Sequence, residues 1–355
     1  METRRHAFVA LIVAVLIGAA VLAGVPRVSA ASIVASMIAT TIAVATPLIL
    51  GALSGVLCER AGVVNLGIEG MMLTAAFFGW ASASYASTVW GLPPSISLLL
   101  GVAGAIISGG LLGLVHAALS VTFRVDQIIG GTVINLLAVG LTGFLNRQLF
   151  FGSGSSSGVS YASPGVLPRV HLPGLADLPV VGRVFEQQPI TLAAIALVVV
   201  THIALFRTRW GLRVRAVGEH PQAAATVGID VRRMRYQSVI LGGCVAGLGG
   251  AYFTLESVPS FEPLMTNGRG FIALAAMIFG NWTPTGALAA ALLFGSAQAL
   301  QINLQMFREQ LSGAWSFLQH SSIVGLLPYL LTLLILTGVI GRTTPPAADG
   351  KPYDG

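Results

Sequence analysis

Long apolar runs alternate with short polar connections along this chain, and most of the runs match the length of a membrane-crossing helix. A helix needs about 20 mostly apolar residues to cross the hydrocarbon core of a bilayer. Such runs fall at about 7–24, 33–57, 66–89, 95–121, 127–146, 189–206, 236–255, 265–280, 284–305 and 322–341. The expected fold is therefore all-α, a polytopic membrane helix bundle of about ten transmembrane helices. The weakest run is 265–280, whose apolar part, Phe271 to Phe279, covers only about 14 Å at 1.5 Å per residue. It reads either as a short span completed by Thr266, Asn267 and Arg269 near an interface, or as a re-entrant half-helix.

Composition agrees with this pattern. Of 355 residues, 55% are hydrophobic and 9% charged, with a mean hydropathy of +0.83. A soluble globular protein carries roughly 25% charged residues, so a soluble enzyme, a nucleic-acid-binding domain and a disordered chain are excluded. The net charge of +6 does not argue for nucleic acid, because the arginines cluster between apolar runs, as they do where they set membrane orientation. Cys58 and Cys244 lie far apart without metal-ligand spacing, so neither a disulfide framework nor a metal site is expected.

Arginine placement predicts the orientation. The segment 207–235 carries Arg207, Arg209, Arg213, Arg215, Arg232, Arg233 and Arg235 against Glu219 and Asp230, whereas 147–188 carries only Arg147, Arg169 and Arg183. The positive-inside rule puts 207–235 in the cytoplasm, and counting back puts 147–188 outside and the Arg4/Arg5 end inside. Arg4 and Arg5, an apolar stretch and Val28-Ser29-Ala30 resemble a secretory signal, but the stretch exceeds the usual h-region, which favours a retained first helix. Residues 1–30 are thus expected to hold the first span and its connection, 31–341 the transmembrane domain, and 342–355 a tail. Within 147–188, the Gly152–Gly158 stretch and Pro164, Pro168, Pro173 and Pro179, with Pro189 just beyond, predict an extended external loop.

Inside lipid, helices associate by close backbone approach and internal hydrogen bonds. Gly51/Gly55, Gly109/Gly113 and Gly243/Gly247 each put two small residues on one helical face, for intrachain packing or a subunit interface. Pro47 and Pro328 lie within apolar runs and should kink their helices. Such kinks either border a cavity or are purely structural.

Chemistry-bearing residues are few. A phosphate-binding loop of the Gly-x-x-x-x-Gly-Lys-Ser/Thr kind needs a lysine that reaches the phosphates, and the sole lysine is Lys351 in the tail. The chain is not expected to be an enzyme, and any ATP hydrolysis must reside in a separate subunit. In the cytoplasmic stretch, Pro221 suits a first helical turn and Gly228 a left-handed cap, which predicts a two-turn helix outside the membrane with arginines on both sides. That helix reads equally as a plug for a groove on a partner protein or as an interfacial helix on phospholipid head groups. Asn65 and Glu69 stand at i and i+4 and share a face if the segment is helical; Asn135 in the fifth run and Gln127 before it are further polar groups at depth. Such groups usually face the bundle interior or an aqueous path. Glu69 reads alternatively as a cap for the start of the third span, paired with Arg60.

These residues resemble a known family. Thr46-Pro-Leu-Ile-Leu-Gly-Ala-Leu-Ser-Gly55, then Glu59-Arg-Ala-Gly-Val-Val-Asn-Leu-Gly-Ile-Glu-Gly-Met-Met72, are similar to the permease subunits of bacterial ABC importers of the simple-sugar and branched-chain amino-acid type, above all its nucleoside branch. The resemblance continues at Asp126–Asn135, Val217–Gly228, Ile278–Gly286 and Leu327–Leu331. It implies a ten-span permease in the bacterial inner membrane that pairs with an identical or related permease. It also implies a cytoplasmic ATPase and an extracytoplasmic solute-binding lipoprotein as partners, with no nucleic acid and no cofactor. Glu219, His220, Pro221, Ala223, Ala224 and Gly228 match the family's coupling loop, which docks on the ATPase. Asn65, Glu69, Gln127 and Asn135 are the expected pathway residues, and nucleosides the expected solute. A simple sugar such as a pentose, or an ion-coupled secondary transporter, is the alternative.

Overall fold

The structure is a computed structural model that describes residues 30–151, 163–171, 174, 176–178, 181–307, 326 and 343–353. The runs at 7–24 and 322–341, Arg4, Arg5, Pro328 and the Gly152–Gly158 stretch lie outside the described residues. The rest is helical: α1 (Ala30–Glu59), α2 (Ile68–Thr88), α3 (Pro94–Ala117), α4 (Gln127–Asn146), α5 (Pro189–Arg207), α6 (Arg209–Glu219), α7 (Pro221–Thr226), α8 (Val231–Tyr252), α9 (Arg269–Phe279) and α10 (Pro284–Phe307). Single π-helical turns extend α3, α4 and α8 at their C-terminal ends.

Among the described residues, six helices are long and apolar enough to cross a membrane: Val34–Glu59, Pro94–Thr122, Gln127–Leu149, Pro189–Arg207, Val231–Ser257 and Pro284–Met306. The expected count of ten is therefore met only in part. The helix α2 is long enough but carries Glu69, serines, threonines and glycines that dilute its hydropathy; it tolerates them because two thirds of its residues are buried in the bundle. The helix α9 is apolar but has 11 residues.

Burial separates the centre from the rim. The apolar windows of α1 and α8 are 83% and 78% buried, those of α4 and α5 only 28% and 33%. The outer faces of α3, α4 and α5 show leucine, isoleucine and valine, among them Leu136, Ile129 and Val200, as lipid-facing helices do. The glycine pairs settle as intrachain contacts. A Cβ at Gly109 would lie 2.6 Å from Gly247 Cα, and one at Gly243 would lie 2.9 Å from Gly113 Cα, so α3 and α8 touch backbone to backbone through two of the pairs. The third pair admits α9: Cβ atoms at Gly51 and Gly55 would meet Ala273 Cβ at 2.7 Å and Met277 Sδ at 2.6 Å.

Two connections fold back into the bundle. After Glu59 the chain turns so that Ile68, the first residue of α2, packs beside Gly51 and Gly55 rather than at the end of α1. After α8 the segment 258–268 runs irregularly down the bundle: Phe261 lies against Phe77 and Trp80, with ring centroids 5.1 and 6.4 Å apart. At its end Gly270 abuts the backbone of Glu69, and α9 then completes the passage. Arg60 at the end of α1 receives its last turn, donating to the Trp282 carbonyl at 2.7 Å and the Asn281 carbonyl at 3.3 Å. The run read as 265–280 is thus an irregular lead-in followed by the 11-residue helix α9.

Pro47 lies inside a continuous α1. Ala43, the residue four positions earlier whose carbonyl a proline cannot partner, lines a cavity of about 450 Å³ with Ser36, Thr40, Arg169, Glu186 and Gln188. The described residues between α4 and α5 are pinned: Val170 bridges to Gln187, and Leu167 N–H donates to the Leu255 carbonyl at 2.7 Å.

Candidate functional site: two helix starts that meet and a strapped pole

The four polar residues expected at depth converge on the loop between α1 and α2 and on the start of α9. Asn65 is fully buried, and its Oδ1 accepts from Gly67 N–H at 3.0 Å. It precedes α2, so the expected helical i, i+4 face with Glu69 does not form. Gln127 Oε1 accepts from Val64 N–H at 2.7 Å. Asn135 clamps the loop twice: it accepts from Gly70 N–H at 2.8 Å and donates to the Leu66 carbonyl at 2.9 Å. His116 Nε2 meets the Val64 carbonyl at 2.9 Å. Irregular backbone inside a membrane protein must have its peptide groups satisfied internally, and α3 and α4 supply the partners here.

Glu69 is half-buried and caps a different helix from the one it sits on. Its carboxylate accepts from Thr266 Oγ1 at 2.6 Å, Gly268 N–H at 2.8 Å and Gly270 N–H at 2.6 Å. Those N–H groups belong to the orphaned first turn of α9, where the helix dipole is positive. The starts of α2 and α9 therefore meet at one point inside the bundle, with a single carboxylate between them. The alternative pairing of Glu69 with Arg60 is replaced by the contacts of Arg60 to the α9–α10 turn.

A second buried acid repeats the device, and sequence reasoning missed it. Glu256, in the π turn after α8, accepts from Ile190 N–H at 2.8 Å, Thr191 N–H at 3.2 Å and the Thr191 hydroxyl, which caps α5. A lone acid shortly after a long apolar run was the available signal.

The opposite pole holds α6 and α7. Thr208 caps α6 through Gly211 N–H at 3.1 Å. Gly218 packs on the Arg60 carbonyl so closely that a Cβ would overlap it. The helix α7 spans Pro221–Thr226, and Gly228 beyond it takes φ +81°, with its N–H on the Ala225 carbonyl. Among the residues expected to couple, Pro221 and Ala224 are buried and seat the helix, whereas Glu219, His220, Ala223 and Gly228 are exposed. Val227, at 75% exposure, adds an apolar side chain to that exposed edge.

The tail, from which nothing beyond its charge was expected, straps this pole. Ala348 N–H donates to the Gly218 carbonyl at 2.9 Å and Ala347 N–H to Glu219 Oε2 at 3.1 Å. Thr344 N–H donates to Asn281 Oδ1 at 3.0 Å, and Arg235, only 1% exposed, donates to the Lys351 carbonyl at 3.0 Å. The tail thereby ties the end of α6 to the first turns of α8 and to the turn after α9. Asp349, half-buried on the inner side of the strap, faces Glu59 and Arg235. Burial pushes its carboxyl from 3.8 up to about 6, opposed by the Glu59 carboxyl, Gly350 N–H and Arg235. The docked tail thus holds a proton more tightly than a free one, so docking should weaken as pH rises from about 4 to about 6 and stay weakened above. Asp349→Asn should abolish this dependence and slow amide hydrogen exchange at Ala347 and Ala348 near neutral pH; exchange unchanged from the parent would contradict it.

Among the described residues, no three His, Cys, Asp or Glu side chains group as a metal site. The buried acids hold helix starts and the strap together. With its apolar helices of membrane length, this is a multi-pass membrane protein. The family model for the branched-chain amino acid transport system / permease component matches residues 37–336, and the chain belongs to that family. It is 40% identical to the guanosine ABC transporter permease protein NupQ of Bacillus subtilis, over 90% of this chain and 97% of that one. It is 36% identical to the nucleoside ABC transporter permease protein NupC of Lactococcus lactis, over 89% and 96%. A putative glucose ABC transporter permease protein of Haloferax volcanii, TsgC13, is also 36% identical, over 88% and 94%.

Proposed function

We propose that this chain is the permease subunit of an ATP-driven importer of nucleosides. The observation that carries the reading is the near full-length likeness to permeases named for guanosine and for nucleosides. A solute-binding lipoprotein delivers the nucleoside to the outer face, and this permease with a second, identical or related one encloses the path. An ATPase engages the exposed edge of α7 from the cytoplasm. In this reading the membrane is crossed ten times, with the N-terminus inside. Asn65, Gln127, Glu69 and Asn135 serve the path by holding its framework, since each is hydrogen-bonded to backbone.

The likeness to the putative glucose permease favours a sugar as the second reading. An ion-coupled transporter needs a free titratable group at depth, whereas both carboxylate oxygens of Glu69 and of Glu256 already accept hydrogen bonds. The test is uptake of labelled guanosine by cells carrying the complete system, with unlabelled competitors. Nucleosides should compete, and free ribose, glucose and nucleotides should not. Competition by a free sugar but by no nucleoside would overturn the nucleoside assignment.

A further inference from the structure

The segment 258–268 stands out because irregular backbone lies exposed inside the bundle's depth. One end follows the last turn of α8; the other reaches Glu69, beside which Ile68 and Ala273 pack on Gly51, eight residues before the end of the α1 span. Glu262, Pro263, Leu264 and Asn267 are exposed, and φ is +63° at Leu264, +46° at Asn267 and +76° at Gly268. Its internal hydrogen bonds are sparse turns, from Met265 N–H to the Glu262 carbonyl and from Asn267 N–H to the Leu264 carbonyl. Hydrocarbon does not tolerate such a surface; non-helical backbone at this depth is buried in protein or lines water. The lipid-facing helices look quite different, as the exposed Ile128, Ile129 and Val133 on α4 demonstrate.

The polar groups along the segment limit what it can hold. The positive end of α9 is already occupied by the Glu69 carboxylate, so a phosphate finds no open helix start there. Arg269 is folded back: Nη1 donates to the Met265 carbonyl at 3.3 Å, and the guanidinium lies 5.3 Å from the centre of the Phe253 ring. What remains exposed is the Glu262 carboxylate, the Asn267 amide and peptide groups. A carboxylate repels anions and accepts hydrogen bonds from paired hydroxyls, and an amide donates and accepts at once, as the edge of a nucleobase requires.

We propose that 262–268 forms a wall of the solute path, with Glu262 and Asn267 contacting an uncharged solute that bears hydroxyls and a hydrogen-bonding edge, and that this wall turns away phosphorylated forms. The choice of a nucleoside as that solute rests on the function proposed above; the existence of the wall does not.

The experiment separates the two. Asn267→Cys and Glu262→Cys are made singly in the complete importer in membrane vesicles, with Ile129→Cys as the lipid-facing reference. Each is treated with a charged, membrane-impermeant methanethiosulfonate, and labelling is counted above the background from Cys58 and Cys244. Labelling at either wall position should exceed that at Ile129 by at least an order of magnitude and fall when guanosine is added. Wall positions as unreactive as Ile129 would overturn the wall. Labelling slowed by ribose or glucose and not by guanosine would keep the wall and remove the nucleoside. Labelling indifferent to all three would overturn the solute contact. If Asn267→Cys fails to assemble, Glu262→Cys decides alone.

Discussion

Replacing Glu69 by leucine should abolish uptake and lower the stability of the solubilised permease. The change deletes the acceptor for Gly268 N–H, Gly270 N–H and the Thr266 hydroxyl at once. An unsatisfied buried donor costs about 1–3 kcal/mol. The cost falls where α2 and α9 meet, so the irregular segment leading into α9 should lose its shape along with the helix start. Glu69→Gln keeps one acceptor oxygen but loses the charge that answers the helix dipole, and should fall between parent and leucine variant. Uptake and thermal unfolding in detergent measure both. Wild-type uptake by the leucine variant would show that the cap is dispensable.

Pairing Glu219→Arg with Ala223→Arg should eliminate co-purification of the ATPase while membrane insertion remains normal. Both residues are exposed beside α7, and Ala223 stands on its outward side, so arginine there changes the docking surface and not the seat formed by Pro221 and Ala224. Changes at the centre of a protein interface cost about 2–4 kcal/mol, or roughly 30- to 1,000-fold in affinity. Glu219 also accepts from Ala347 N–H in the strap, so Ala223→Arg alone isolates the docking term and should weaken co-purification by itself. Undiminished co-purification of the double variant would count against α7 as the docking helix.

The chain's own pattern revealed the helices with unequal success, for physical reasons. The run at 127–146 coincides with α4 because that helix is bounded by a side-chain cap, Asp126 accepting from Ile128 and Ile129 N–H, and is lipid-facing along most of its length. The helix α2 escapes an apolarity criterion because protein, not lipid, solvates it. The segment leading into α9 is harder still: only its end, 265–268, falls within an apolar run, and Pro259, Ser260, Glu262 and Pro263 before it have the composition of a surface loop. Pro221 and Gly228 announced α7 through local backbone chemistry, which needs no tertiary context. The roles of Asn65, Gln127 and Asn135 needed the fold, because their partners are peptide groups that any sequence possesses. The strap was illegible for the same reason, since most of its bonds to the bundle run through main-chain atoms of Ala347, Ala348 and Lys351.

The central claim is that this polypeptide supplies a path and a docking helix but no driving force. The most direct measurement is nucleoside accumulation in proteoliposomes that contain the permeases with or without the ATPase, with loaded binding protein outside and ATP within. Accumulation above the external concentration should require the ATPase and ATP and persist when an ionophore collapses ion gradients. Uphill accumulation by vesicles without the ATPase would contradict the account.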